Sequence, residues 1–175
     1  IKQIFYPKDG LKTLMTLKEK DKNPHLNKVI NFVNFILGSG ISLDDLGITF
    51  STLVGNYDPK YSDINIVIYG KDNAWKILNF LKKTNHPSLR WKTEKDWEIF
   101  RNKRNRSKFF EKQEFFEQMS RKKTEGFFEN KLFVLFPVEK ENEIRNKWGD
   151  ETYTPLGLVE IEGKVKDNYN SITRP

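Results

Sequence analysis

Asp63 and Asn65 are the residues best placed to do chemistry in this chain. They lie in the segment 48–70, ITFSTLVGNYDPKYSDINIVIYG, where an apolar strand leads into a Ser/Thr/Gly turn, a polar loop with Pro59, and a second strand. Side chains alternate along a strand, so Ser62, Ile64, Ile66 and Ile68 face one way and Asp63, Asn65, Val67 and Tyr69 the other. An Asp and an Asn thus stand side by side, downstream of the hydroxyls of Ser51 and Thr52. Metal-dependent transfer of a nucleotide uses two cations to hold the triphosphate, sharpen the attacking hydroxyl and stabilise the leaving pyrophosphate. Two carboxylates at i and i+2 on a strand offer the hard oxygens that Mg²⁺ or Mn²⁺ prefers. Here the second carboxylate is replaced by Asn65. The same alternation also fits the solvated face of an ordinary sheet edge, and Ser51 and Thr52 also suit a turn bonded only to itself.

The flanking elements are legible from spacing. Leu11, Leu14, Met15 and Leu17 predict a helix over 8–21, after Pro7. Asn23-Pro24 reads as a cap with proline at the first helical position, opening a helix that carries Leu26, Val29, Ile30, Val33, Phe35 and Ile36 and stops at Gly38-Ser39-Gly40. A capped turn at 42–45 leads into a strand at 47–50. Trp75, Ile77, Leu78, Phe80 and Leu81 predict a helix over 71–83, broken by His86-Pro87-Ser88. Thr93 caps a further helix with Trp97, Ile99 and Phe100, and 109–123 repeats the helical spacing. From Gly126 the pattern changes to strands at 127–128 and 132–136 around a turn at Glu129-Asn130, with Pro137 ending the second. A helical turn is expected within 139–150, and 157–165 alternates as a half-exposed strand. The expectation is an α+β (mixed α/β) chain: one domain over 1–150 with N-terminal helices, and a short β appendage over 151–175.

Composition narrows the class. The 175 residues are 37% hydrophobic with fourteen Phe, six Tyr and four Trp, enough to build one sizeable core. No apolar run approaches the roughly 20 residues that span a bilayer. The start, Ile1-Lys2-Gln3-Ile4, shows no signal-peptide core, so a cytoplasmic location is expected. Without cysteine there is neither a disulfide nor a thiolate metal site, and His25 and His86 have no partner at ligand spacing. The net charge of +7 favours an anionic partner such as nucleotide phosphates or nucleic acid. Arg101, Lys103, Arg104, Arg106 and Lys108 concentrate that charge, and Arg121-Lys122-Lys123 follows.

Ser62-Asp63-Ile64-Asn65-Ile66-Val67-Ile68-Tyr69-Gly70 resembles the Ser-Asp-Ile-Asp segment of archaeal nucleotidyltransferase-domain proteins, members of the polymerase-β-like superfamily, including their closing Tyr-Gly. Leu53-Val54-Gly55 with Asp58-Pro59 is similar to their connecting loop. Lys122-Lys123 to Gly126-Phe127, the strand at 132–136, Tyr153-Thr154-Pro155-Leu156-Gly157 and Ser171-Ile172-Thr173-Arg174-Pro175 resemble later blocks. The resemblance covers most of the chain, with the relatives longer at both ends. It implies a polymerase-β-like fold, a small mixed sheet flanked by helices, with Asp63 as catalytic metal ligand and Mg²⁺ or Mn²⁺ as cofactor. It also implies that Ser51, Thr52 and Asn65 face the nucleotide.

Three departures weaken the activity this resemblance implies. Phe50 stands where the family's turn has glycine, Asn65 replaces the second carboxylate, and the expected neighbouring strand, 131–136, holds no third acid; Glu129 precedes it and is a poor candidate. A catalytic metal supplies several kcal/mol of transition-state stabilisation, and each ~1.4 kcal/mol is tenfold in rate. The preferred reading is therefore a degenerate nucleotidyltransferase-like protein that binds nucleotide or nucleic acid with weak or no catalysis. The alternatives are an active Mg²⁺- or Mn²⁺-dependent transferase and a non-catalytic RNA- or DNA-binding module using the basic surface 101–123.

Overall fold

Pro7 opens α1 (Pro7–Met15), whose Leu11 and Leu14 are buried. The next helix, α2 (Pro24–Leu37), starts where Asn23 Oδ1 accepts from the N–H of His25 and Leu26, at 3.0 Å each. Its buried stripe is Leu26, Val29, Phe32, Val33 and Ile36. Ser42 caps a 3₁₀ turn that delivers the chain to β1 (Leu46–Ile48), and a short helix α3 (Phe50–Leu53) follows. Then come β2 (Ile64–Tyr69), α4 (Lys71–Lys83), β3 (Leu89–Trp91), α5 (Glu94–Lys103), α6 (Lys112–Arg121), β4 (Glu125–Phe128) and β5 (Lys131–Val138). This computed structural model describes residues 3–103, 110–145 and 149–173.

The strands form one five-stranded mixed sheet in the order β1-β2-β5-β4-β3. β2 and β5 are parallel, with Asn65 opposite Val134, and the other pairings are antiparallel. The predicted alternation of β2 is present: Ile64, Ile66 and Ile68 are fully buried against α2 and α4, together with Phe133 and Leu135. Each such side chain stabilises the fold by about 1.5–3 kcal/mol. Phe32 stacks on Phe133 at 4.5 Å between ring centroids, tying α2 to the middle of the sheet. A second, smaller cluster of Trp97, Phe115 and Phe116 joins α5 to α6.

One strand is unforeseen and two expectations are corrected. β3 falls just after the Pro87 break, where the sequence gives only three residues of pattern; it exists because its register with β4 sets Leu89 opposite Phe128. Pro137 does not end β5 but lies inside it, opposite Ile68. Backbone bonding on the β4 side ends at Leu135, whose N–H donates to the Thr124 carbonyl at 2.8 Å, so on that side the missing proline N–H breaks no ladder. Finally, no β appendage forms among the described residues. The segment 151–168 has no strand and every residue in it is exposed, because alternation alone cannot hold a strand that has no edge to pair with. The chain is anchored again at a 3₁₀ turn, Tyr169–Ile172, where Trp75 Nε1 on α4 donates to the Tyr169 carbonyl at 3.1 Å. No helix among the described residues is long and apolar enough to cross a membrane.

Candidate functional site

Thr49 N–H donates to the Asn65 carbonyl at 3.2 Å, so the chain leaves β1 directly beside the start of β2. It turns at Phe50, whose φ of 54° lies in the left-handed region. The backbone thus takes the conformation that a glycine would favour, with a phenylalanine paying about 1 kcal/mol to adopt it. The Phe50 ring stays largely exposed and packs against Phe136 at 5.2 Å. Ser51 Oγ follows, 3.4 Å from Ser62 Oγ, which itself accepts from the Asp58 N–H at 2.9 Å. Asp58 turns the loop by accepting from the N–H of Lys60 and Tyr61. Lys131 closes it from β5, donating to the carbonyls of Pro59 and Lys60 at 3.0 Å each. Ser51, Ser62, Asp63 and Asn65 are in this way gathered at one end of the sheet.

The Asp63 carboxyl is half-buried, and burial raises its pKa; Lys131 and Lys92 act against that rise, and Glu125 adds to it. Asn65 directs its amide N–H₂ toward the Asp63 carbonyl, at 3.5 Å. Glu125 is the residue that sequence reasoning missed. It pairs with Val134, and Val134 pairs with Asn65, so this acid is on the same sheet face two strands away. Its one sequence signal was a lone acid beside Gly126 at the head of an apolar strand. Glu125 is nevertheless committed elsewhere. It forms ion pairs with Lys92, whose side chain is equally buried, and with Lys122 at 2.7 Å. Burial raises the Glu125 pKa, but the hydrogen bonds from Lys122 and Lys92 outweigh it and hold the group below the ordinary carboxylate range.

One free carboxylate, one amide and two hydroxyls do not fit a pair of divalent cations, which needs bridging negative charge. Among the described residues, no group of three His, Cys, Asp or Glu side chains is placed to hold a metal ion. Glu129 is engaged on the helix side of the sheet: its carbonyl accepts from Lys28 at 2.8 Å and its carboxylate from Asn31 at 3.0 Å, both on α2.

The remaining predicted residues divide. Thr52 is buried, and its Oγ1 lies 3.0 Å from Nε2 of the fully buried His25, so its hydroxyl is occupied in the core. Arg101 and Lys103 stand in the last turn of α5, and the Arg101 guanidinium donates to the Phe110 carbonyl at 3.1 Å, bracing the α5–α6 connection. Arg104, Arg106 and Lys108 lie outside the described residues.

Comparison with known proteins returned an uncharacterized protein of the archaeon Methanocaldococcus jannaschii, 32% identical over 137 residues. The match takes in 78% of this chain and 40% of that protein, so the chain spans well under half the length of the relative. No family model matches the chain. No solved structure matches it either.

Proposed function

We propose that the chain is a nucleotidyltransferase-like domain that binds a nucleotide at Ser51, Ser62, Asp63 and Asn65 and catalyses its transfer weakly or not at all. The observation that carries this reading is the backbone bond from Thr49 to Asn65 together with the approach of Ser51 to Ser62, which set the Ser51 turn beside the segment Asp63-Ile64-Asn65. The polymerase-β-like fold belongs to the same proposal, supported by the order of parts: strand, left-handed turn, loop, and a strand that opens on Asp-x-Asn. Lys131 and Lys92 lie close enough to Asp63 to oppose the rise in its pKa, and supply positive charge for phosphates. Weak catalysis follows from the neutral amide of Asn65 and from the sequestration of Glu125 by two lysines.

The test is calorimetry of a nucleoside triphosphate with and without Mg²⁺ and Mn²⁺, on this chain and on Asp63→Ala. Binding that the substitution weakens tenfold or more is expected, with no nucleotide moved to any acceptor above the level of the variant. Absence of triphosphate binding under every condition would sink the proposal. Robust transfer that Asp63→Ala abolishes would overturn its second half and make the protein a working enzyme.

A further inference from the structure

A cleft of about 460 Å³ opens between α4, the end of the sheet and the Tyr169–Ile172 turn. It lies within the range of small-molecule sites. Its floor is apolar, formed by Leu78, Leu135, Pro137 and Ile172, with Trp75 at one wall. Its rim carries Lys82, Arg121, Lys122 and Lys123, and none of the described residues lining it is acidic. Leu135 and Pro137 are in register with Ile66 and Ile68, so the cleft is on the helix-covered face, opposite the face of Asn65. It is therefore separate from the candidate nucleotide site and does not rest on that reading.

The charges in the cleft are unbalanced. Of the four cations, Lys122 is paired, with Glu125. Lys82, Arg121 and Lys123 make no ion pair with any described residue. Lys123 is partly buried, with its ammonium 5.0 Å from the centroid of the Trp91 ring. Burial lowers its pKa, and the nearby charge of Lys82 lowers it further. Like charges brought together around an apolar floor, without a counterion, are stabilised by an anionic ligand that desolvates against that floor.

We infer that this cleft binds a small phosphorylated molecule, its phosphate held by Lys82, Lys123 and Arg121 and its apolar or aromatic body laid on Leu135, Pro137 and Trp75. Adenosine 5′-monophosphate and inorganic phosphate serve as probes on the full chain, in chelator so that no divalent cation takes part. Tryptophan fluorescence reports occupancy, because Trp75 lines the cleft and Trp91 lies beneath Lys123. The expected result is saturable quenching by the mononucleotide, competition by inorganic phosphate, and about tenfold weaker binding in Lys82→Ala/Lys123→Ala. Lys82→Ala alone, at an exposed helix position, gives a smaller loss and guards against a folding defect in the double variant. No binding in chelator, or binding that the double variant leaves unchanged, overturns the inference. So does displacement of the mononucleotide by a single-stranded oligonucleotide at far lower concentration, which would assign the surface to a polynucleotide. The lesions differ from Asp63→Ala, so the two proposals fail separately.

Discussion

At the residue scale, Phe50 and His25 each hold a conformation or a protonation state that the fold enforces. Phe50 sits at φ 54° in a turn whose geometry favours glycine. Phe50→Ala and Phe50→Gly both delete the ring and its contact with Phe136, but only alanine keeps the left-handed penalty. Phe50→Gly should therefore be more stable than Phe50→Ala by about 1 kcal/mol, less the chain entropy that glycine adds to the unfolded state. Equal denaturation midpoints would mean that the turn relaxes once the ring is gone. His25 is fully buried, its Nε2 bonded to Thr52 and its Nδ1 without a partner, and burial, aided by Lys131, lowers its pKa. Between the folded and unfolded pKa the unfolded chain binds more protons, so stability rises with pH across that window. The His25 contribution is complete above the unfolded value of about 6.5 and is lost as pH falls toward the folded one. Urea midpoints at pH 7.5 and 5.5 should differ more for the wild type than for His25→Gln; parallel shifts in the two proteins would rule His25 out as the cause.

At the element scale, the buried pair of Glu125 on β4 with Lys92 after β3 joins the two strands farthest from Asp63. Removing one partner of a buried ion pair leaves an uncompensated charge, at a cost of about 3 kcal/mol. Glu125→Gln should lower stability by about that amount in chemical denaturation. A loss below 1 kcal/mol would show the pair to be solvated and would free Glu125 as a candidate metal ligand. The sequence made α2, α4 and β2 legible because each carries its own signal: a cap at Asn23, a 3.6-residue stripe, or strict alternation. β3 was not legible, since three residues have no period and their pairing partner lies far along the chain. Glu125 escaped for the same reason: its place on the Asn65 face is a matter of strand order, which no local pattern contains. Nor was the contact of Thr52 with His25 legible, because its hydroxyl points inward only once the turn continues into a helix.

At the scale of the whole molecule, most of the structure is stabilised by burial, and one segment is not. From 151 to 168 the chain exposes every side chain, including Leu156, Leu158, Val159 and Ile161, while Tyr169 re-anchors on α4 through Trp75 and through Asp72 at 2.6 Å. The alternation that predicted a strand there is real, but a strand also needs a second edge. A segment without backbone pairing opens to a protease at almost no free-energy cost, whereas cleavage within β2 or α2 requires the core to unfold. Brief trypsin treatment should therefore cut first at Lys164 or Lys166, well before any site in α1 to α4, and mass spectrometry of the early fragments identifies the bond. Because the retained body keeps β1 to β5 and both apolar clusters, its thermal midpoint should fall by only a few degrees. Protection of Lys164 and Lys166 in the intact chain would mean that the alternating segment has found an edge to pair with, and dilution would separate the two sources of that edge. Protection lost on dilution would come from a second copy, and protection independent of concentration would come from the sheet of the same molecule.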